Sequence, residues 1–414
     1  MPTPLNYGTS FDQIHFHQGE YLHDKGYTGD GIIIAIFDAG FNAYLTNPYF
    51  DSARQQGRVL GEWDYVKNES SVNEDHPHGS YCFSIIAGNS PGAYVGTAPH
   101  ARFYLLRTED AATEYPVEEQ NWVAAAEFAD SAGADMISSS LGYSDFDDAA
   151  FNHGYAQRDG NTAMVTIGAD LAARKGMIVC NSAGNSGGAL TDAKYVMCPA
   201  DGDSVLAVGA VTIRDTIAAF SSYGPNGAGK LKPDIVSVGQ GTLLITTGGA
   251  VARGNGTSFS NPLACGLIAC LWQAFPEFSN MEIINAVKLT SNRHEQPDFR
   301  YGYGVPDFKK AYEFLSDART VKQAQATLSE KWIKAFPVPV RESIQVMVKA
   351  PASGKASMGL YDISGRLIEE ITMQVLKDDF RILRFSTSTA ARPGMYFIRY
   401  TDGKNRQTIK VIKP

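Results

Sequence analysis

The chain has 414 residues, of which 44% are hydrophobic and 19% charged, and its formal net charge is −8. Length and composition indicate a globular protein of about two domains and exclude a disordered chain. The acidic balance argues against a nucleic-acid partner, and the lack of an apolar run of about 18 residues excludes a transmembrane segment. The first residues, MPTPLNYGTS, lack the basic start and apolar core of a secretory signal, so we expect no signal peptide in this chain.

Strand and helix patterns alternate along the first two thirds of the chain. The run GIIIAIF, residues 31–37, is short, apolar and rich in β-branched residues, which predicts a buried strand. Further strand patterns, most of them preceded by a helical pattern, occur within residues 123–142, 170–185 and 203–211. Such alternation favours crossover connections, so we expect an α/β fold with a mostly parallel central sheet flanked by helices.

A serine among small residues precedes a long apolar stretch in GNGTSFSNP, residues 254–262. The stretch from Ser258 onward predicts a helix, because its apolar residues recur at three- and four-residue spacing. We expect Pro262 in the first turn, where a missing backbone N–H costs least, and the end of the helix before Pro276. Ser258 is therefore either a helix N-cap or an exposed nucleophile.

The composition changes near residue 320. The segment 321–335 is interpreted as a linker, because prolines follow it closely and indicate the start of another domain. Residues 336–414 then show alternating patterns with a hairpin signal at TDGK. We expect an α/β domain over residues 1–320 and a small all-β sandwich domain over residues 336–414.

Three polar side chains occur in contexts suited to acyl transfer. Asp38 ends the first predicted strand, and open α/β sheets bind ligands at the carboxyl ends of strands. His78 lies in HPHGSYCFSIIAG, before a helix-like stretch, and Ser258 begins the helix described above. A serine needs a base to take its proton, a histidine does this near neutral pH, and a carboxylate orients the imidazole. The order Asp, His, Ser is one of the known orders of this catalytic set.

The negative oxygen of a tetrahedral intermediate also needs hydrogen-bond donors. The segment NSAGNSG, residues 181–187, follows a predicted buried strand and offers the Asn185 amide in a glycine-rich turn. The backbone N–H of Ser258, at a helix N-terminus, is the second candidate donor.

With these four motifs in order, the chain resembles the subtilase (subtilisin-like serine protease) family over roughly residues 8–318. The resemblance implies an endopeptidase that needs no cofactor and binds a protein or peptide in extended form. Ser258 would be the nucleophile, His78 the general base and acid, Asp38 the residue that orients His78, and Asn185 the oxyanion donor. SSSLG resembles the substrate-binding strand of the family. The implied walls of the first specificity pocket are Ser140, Leu141 and Gly142 on one side and Ala183 and Gly184 on the other.

The chain departs from the family pattern at three points. Ala39 follows Asp38 where Ser or Thr is usual, and Ser80 stands where Thr is usual. Neither change removes a proton carrier, so we expect activity to survive. The acidic segment after residue 107 replaces the one that usually leads to the substrate-pairing edge strand. We interpret this segment as a solvated acidic loop. In the alternative interpretation, its carboxylates select substrates with basic residues away from the cut. These carboxylates belong to Glu109, Asp110 and Glu114.

The last domain resembles the sorting domain of the type IX secretion system of Bacteroidetes, through GLYDISGR, GMYFIRY and the terminal KVIKP. The resemblance implies the type IX machinery as a partner and a secreted or surface-attached protein. The subtilase family usually has an N-terminal pro-segment, and we expect none within this chain.

Other chemistries are less well supported. The five cysteines show no zinc spacing, and Cys180 with Cys198 is the one pairing we consider. His76 and His78 form a His-x-His pair without a further ligand cluster, so no catalytic metal is predicted. Structural calcium, common in the family, stays open and is assigned to no residues. The alternative function is a catalytically inactive subtilase-fold protein that binds peptides or acts at the cell surface.

Overall fold

The structure is a computed structural model that describes residues 4–327, 332–336, 344–385 and 393–414. Its helices in chain order are α1 Phe11–His15, α2 Glu20–Asp24, α3 Asp51–Gln55, α4 His78–Ala87, α5 Val117–Ser131, α6 Met164–Arg174, α7 Thr257–Ala274, α8 Asn280–Leu289 and α9 Phe308–Thr327. Its strands are β1 Ile33–Asp38, β2 Val59–Asp64, β3 Asn89–Ser90, β4 Tyr94–Val95, β5 Arg102–Arg107, β6 Met136–Ser139, β7 Ile178–Ser182, β8 Leu206–Thr212, β9 Ile235–Ile245, β10 Val251–Asn255, β11 Ile333–Phe336, β12 Ile344–Lys349, β13 Gly354–Tyr361, β14 Leu367–Val375, β15 Phe380–Phe385, β16 Gly394–Thr401 and β17 Arg406–Lys413.

The predicted parallel sheet is confirmed. Eight strands form one sheet in the order β10-β9-β8-β7-β6-β1-β5-β2, and every neighbouring pair is parallel except β10 with β9. The strands β1, β6 and β7 are neighbours and run in the same direction. Their carboxyl ends therefore meet at one edge of the sheet, which is where α/β sheets bind ligands.

Helices cover both faces of this sheet. Ala35 and Phe37 of β1 share a buried cluster with Trp122 of α5 and with apolar residues of α6. Because side chains alternate along a strand, Ile34 and Ile36 face the other side. There α7 packs against α4 and against the central strands. The long apolar helix is thus buried over nearly its whole length.

The helix after residue 256 differs from the prediction in one respect. It begins at Thr257, so Pro262 is the sixth helical residue and not a member of the first turn. A proline at this position cannot donate to the carbonyl oxygen four residues earlier, which belongs to Ser258. The helix ends at Ala274, before Pro276, as expected.

The chain divides into two compact units, Met1–Phe314 and Leu315–Pro414. In the second unit, β11-β12-β15 and β14-β13-β16-β17 form two antiparallel sheets whose inward residues share one apolar core. The hairpin predicted at TDGK joins β16 to β17. The helix α9 extends to Thr327 and β11 begins at Ile333, both inside the segment interpreted as a linker. None of the helices in the described ranges combines the length and hydropathy needed to cross a membrane.

Candidate active site

The carboxyl end of β1 brings Asp38 to the first residue of α4. Asp38 is fully buried, and its Oδ1 lies 2.8 Å from Nδ1 of His78, whose side chain is 25% exposed. Oδ1 also accepts the backbone N–H of Ala39 at 2.8 Å. Oδ2 has no hydrogen-bond partner among the described residues, and Ala39 adds no side-chain donor there. One oxygen of the carboxylate therefore fixes the imidazole.

A glycine allows this close approach of strand and helix. A β-carbon at Gly79 would lie 2.4 Å from the carbonyl oxygen of Gly40 and 2.9 Å from Cβ of Asp38, well inside van der Waals contact. The Gly79 N–H instead donates to that carbonyl at 3.0 Å. Ser80, a departure from the family pattern, donates its hydroxyl to the carbonyl of Asn42 at 2.7 Å. The start of α4 is thus tied to the loop after β1.

Opposing effects act on the pKa of His78. Burial is the largest single effect and lowers it, but the charge of Asp38, its hydrogen bond to the ring and the contact with Cys82 together raise the pKa of His78 well above 6.5. The Cys82 thiol, one helical turn further on, lies 3.9 Å from Nδ1. Burial raises the pKa of that thiol, which is therefore neutral near pH 7. The arrangement favours the imidazolium form that a general base passes through.

Ser258 is the second residue of α7 and is 8% exposed. Its carbonyl, which lacks the usual donor four residues later because of Pro262, accepts the Ser140 hydroxyl at 2.9 Å and the Cys82 thiol at 3.3 Å. Its own hydroxyl lies 3.4 Å from the carbonyl oxygen of Ser140. A side chain just after β6 and one on α4 therefore hold the backbone of the predicted nucleophile.

The predicted nucleophile and base are neighbours without a direct bond. The ring centroids of His78 and Phe259, the residue after Ser258, are 5.7 Å apart. Among the hydrogen bonds of the described residues, none joins Ser258 to His78. Catalytic hydrogen bonds of this kind often form fully only around a bound substrate.

The oxyanion candidate is oriented by the residue before the serine. Asn185 follows β7, and its side-chain oxygen accepts both the backbone N–H of Thr257 at 2.8 Å and the Thr257 hydroxyl at 3.0 Å. The same hydroxyl accepts the N–H of Gly184 at 3.1 Å. With its oxygen engaged in this way, the exposed Asn185 amide has its N–H₂ group left to donate.

The two predicted pocket walls lie at neighbouring strand ends. Ser140, Leu141 and Gly142 follow β6, and Ala183 and Gly184 follow β7. The Asn181 side chain donates to the Leu141 carbonyl at 2.9 Å, which ties the two walls together. The structure therefore brings both sets of predicted substrate-binding residues to the edge that carries Asp38.

The acidic segment is only partly solvated: the Asp110 side chain is 39% exposed, whereas Glu109 and Glu114 are half-buried. Glu118 is buried, and Glu109 accepts the hydroxyl of buried Tyr143 at 3.1 Å. Carboxylate oxygens of Glu109, Glu114 and Glu118 all lie within 4.8 Å of one another. Burial and the neighbouring carboxylates raise the pKa of Glu109 well above its ordinary value and that of Glu114 to about 7. The interpretation as a solvated loop was therefore wrong for Glu109 and Glu114, whose carboxylates lie together with that of Glu118, and it holds for Asp110.

The cysteines are free thiols, so the pairing of Cys180 with Cys198 is not formed. Cys180 lies on β7 and has Cys265 of α7 as its hydrogen-bonding neighbour. Cys198 lies beside Asp201 and Thr166. The two residues thus belong to different parts of the core.

Three residues at the site were not singled out from the sequence. The signal for Cys82 is its spacing of four from His78 on one helix, which brings the side chains to the same face. Thr257 directly precedes Ser258 and could have been recognised from the GTS motif. Met197, which contacts both pocket walls, carries no local signal.

Comparisons with known proteins identify relatives of both parts of the chain. A family model described as the Subtilase family matches residues 29–304, and one described as the Secretion system C-terminal sorting domain matches residues 334–414. Subtilisin NAT of Bacillus subtilis subsp. natto is 28% identical over 295 residues, which are 70% of this chain and 68% of that protein. Subtilisin-like protease SBT6.1 of Arabidopsis thaliana is 29% identical over 322 residues, which are 72% of this chain but only 27% of that longer protein.

Solved structures share the fold. MycP1 with its N-terminal propeptide removed superposes with a TM-score of 0.59 at 22% identity, covering 73% of this chain and 96% of that one. The prenylagaramide maturation protease PagA gives a TM-score of 0.56 at 22% identity, covering 72% of this chain and 98% of that one. At this identity the likeness concerns the fold alone.

Proposed function

The chain belongs to the subtilase family of serine endopeptidases, and we propose that it hydrolyses peptide bonds of proteins through Asp38, His78 and Ser258 with an acyl-enzyme intermediate. The observation that carries the proposal is the 2.8 Å contact between Asp38 and His78, next to the helix start that holds Ser258. The oriented Asn185 amide supports the same chemistry.

In the proposed reaction, Ser258 Oγ attacks the scissile carbonyl carbon as His78 Nε2 accepts its proton. Asp38 stabilises the resulting imidazolium, and the Asn185 amide with the Ser258 backbone N–H donates to the oxyanion. The C–N bond then breaks as His78 gives its proton to the leaving amine. A water molecule attacks the acyl carbon, His78 takes its proton, and that proton returns to Ser258 as the acid product leaves.

The test is cleavage of a peptide library, followed by mass spectrometry, with the full chain and its Ser258→Ala variant. We expect cleavage by the full chain and none by the variant. Ser260→Ala is the matched control, because Ser260 is buried on the same helix and its hydroxyl donates to the Thr257 carbonyl of that helix at 2.9 Å. Equal cleavage by Ser258→Ala would refute the proposal, and peptide binding without cleavage by the unaltered chain would favour the inactive alternative.

We further propose that residues 334–414 direct the protein through the type IX secretion machinery to the cell surface or the medium. The sorting-domain match and the two-sheet β-fold of this unit support the proposal. A chain without residues 334–414 should stay inside the producing cell. The full-length Ser258→Ala variant should still be exported. Unchanged export of the deleted chain would contradict this part of the proposal.

A further inference from the structure

We infer that Met197 closes the first specificity pocket, so that the enzyme cuts protein chains after small residues, alanine and serine above all. This inference rests on the proposed function, because it names the side chain accepted on the amino-terminal side of the cleaved bond. It starts from the two walls that follow β6 and β7.

The segment around Met197 lies between these walls. The Met197 N–H donates to the carbonyl of Ala183 at 3.3 Å, on the wall that follows β7. The next residue, Cys198, exchanges two backbone hydrogen bonds of 3.1 and 2.8 Å with Tyr143, on the wall that follows β6. Met197 is therefore fixed by its backbone to both sides of the pocket.

Its side chain fills the space that two wall glycines leave. A β-carbon at Gly142 would lie 3.1 Å from Cβ and 3.3 Å from Sδ of Met197. A β-carbon at Gly184 would lie 2.9 Å from the same sulfur. Because carbon atoms in contact are usually 3.5–4.0 Å apart, the thioether occupies the interval between the two glycines.

A large substrate side chain would have to displace this thioether. Methionine adapts its shape readily, and Met197 is only half-buried, so the sulfur can move. An aromatic ring between the walls would have to push the Met197 sulfur out of the interval between Gly142 and Gly184, whereas a methyl or hydroxymethyl group needs far less displacement. The slot therefore selects small side chains.

The experiment measures kcat/KM for a series of peptides that differ only in the residue before the cut, namely Ala, Ser, Leu, Phe or Tyr. We expect the unaltered full chain to prefer Ala and Ser. Met197→Gly should raise the Phe-to-Ala ratio of kcat/KM by between about 10- and 200-fold, as expected for a hydrophobic pocket that gains space. Met197→Ala is the second variant, in case glycine disturbs the backbone, and should shift the ratio in the same direction.

Met197→Leu is the matched control, because it conserves volume and should keep the preference of the unaltered chain. The inference is overturned if the unaltered chain cuts after Phe or Tyr as fast as after Ala, or if neither small variant changes the ratio. The peptide library used for the Ser258→Ala comparison separates the two claims. If the unaltered chain cuts no peptide in that library, the proposed function and the inference both fall.

Discussion

His78 is the residue whose protonation should set the lower pH limit of activity. The imidazole must be neutral to accept the serine proton. Burial, the largest single effect, lowers the pKa of His78, but Asp38 and Cys82 together raise it well above 6.5. Activity should therefore fall as the pH drops through that raised pKa. We expect the midpoint of the acid limb of kcat/KM above pH 6.5.

A pH–rate profile checks this expectation. Asp38→Asn provides the comparison, because it removes the carboxylate charge: the midpoint should move down, and kcat should fall by about four orders of magnitude. A midpoint at or below pH 6.5 in the unaltered chain would show that Asp38 does not act on His78 in this way.

Asn185 gives a second prediction at the residue scale. Asn185→Ala should lower kcat by about 100- to 1000-fold with KM little changed, the loss known for removing one such donor from a subtilisin. Asn185→Asp keeps an acceptor for the Thr257 N–H but loses the N–H₂ donor, so it should lose at least as much. A large rise in KM with kcat unchanged would assign Asn185 to substrate binding instead.

The residues at the site differ in how far the sequence could predict them. Asp38, His78, Ser258 and Asn185 were accessible because each lies in a local motif at a strand end or helix start. Met197 was not, since its contacts with Gly142 and Gly184 exist only after three separate segments meet. Contacts between side chains of segments that are distant in sequence leave no repeating pattern from which a single sequence could predict them.

Among the elements, the acidic segment between β5 and α5 should make stability depend on pH. The pKa of Glu114 is raised from 4.5 to about 7, by burial first and then by Glu118. A carboxyl group whose pKa is raised by folding stabilises the fold fully below its unfolded pKa, and this contribution is lost as the pH rises through about 7. The free energy of unfolding should therefore decrease between about pH 4.5 and 7.

Glu114→Gln tests this directly by thermal unfolding. The variant should raise Tm at pH 8 by roughly 2 °C and have little effect at pH 5, because only the ionised form is repelled by its neighbours. The control is Glu127→Gln, an exposed carboxylate on α5, which should shift Tm equally at both pH values. A lower Tm for Glu114→Gln at pH 8 would mean that the ionised carboxylate stabilises the segment.

Elements with strong periodicity were predicted well, and those without it were not. The strand of residues 31–37 and the helix after residue 256 appear nearly as expected, because long apolar patterns leave few alternatives. The position of Pro262 was misjudged: it is the sixth residue counted from Thr257 and the fifth counted from Ser258, beyond the first turn in both cases. The sequence did not predict that Glu109 and Glu114 are half-buried, because charged side chains in most proteins are exposed to solvent.

At the scale of the whole molecule, the predicted catalytic residues and the sorting tail belong to different compact units. The residues of the proposed triad and the oxyanion candidate all lie between residues 38 and 258, well inside the first unit. The composition change near residue 320 indicated two parts, although the sequence did not reveal that α9 continues to Thr327. The predicted domain boundaries, residues 1–320 for the first domain and 336–414 for the second, stay a prediction.

A chain that ends at Thr327 should therefore keep the kcat/KM of the full chain. The physical reason is that no group in the proposed mechanism comes from the second unit. Rates should be compared at one temperature well below the Tm of both chains. The Ser258→Ala variant of each length serves as the blank. A loss of activity by the shorter chain without a loss of Tm would show that the tail contributes to catalysis.

The most direct test of the central claim is the site of covalent labelling by a fluorophosphonate, mapped by peptide mass spectrometry. A phosphonate adduct should form on Ser258 in the unaltered chain and be almost absent in His78→Ala, because the hydroxyl is nucleophilic only while His78 takes its proton. An adduct on another residue, or equal labelling of Ser258 without His78, would contradict the account.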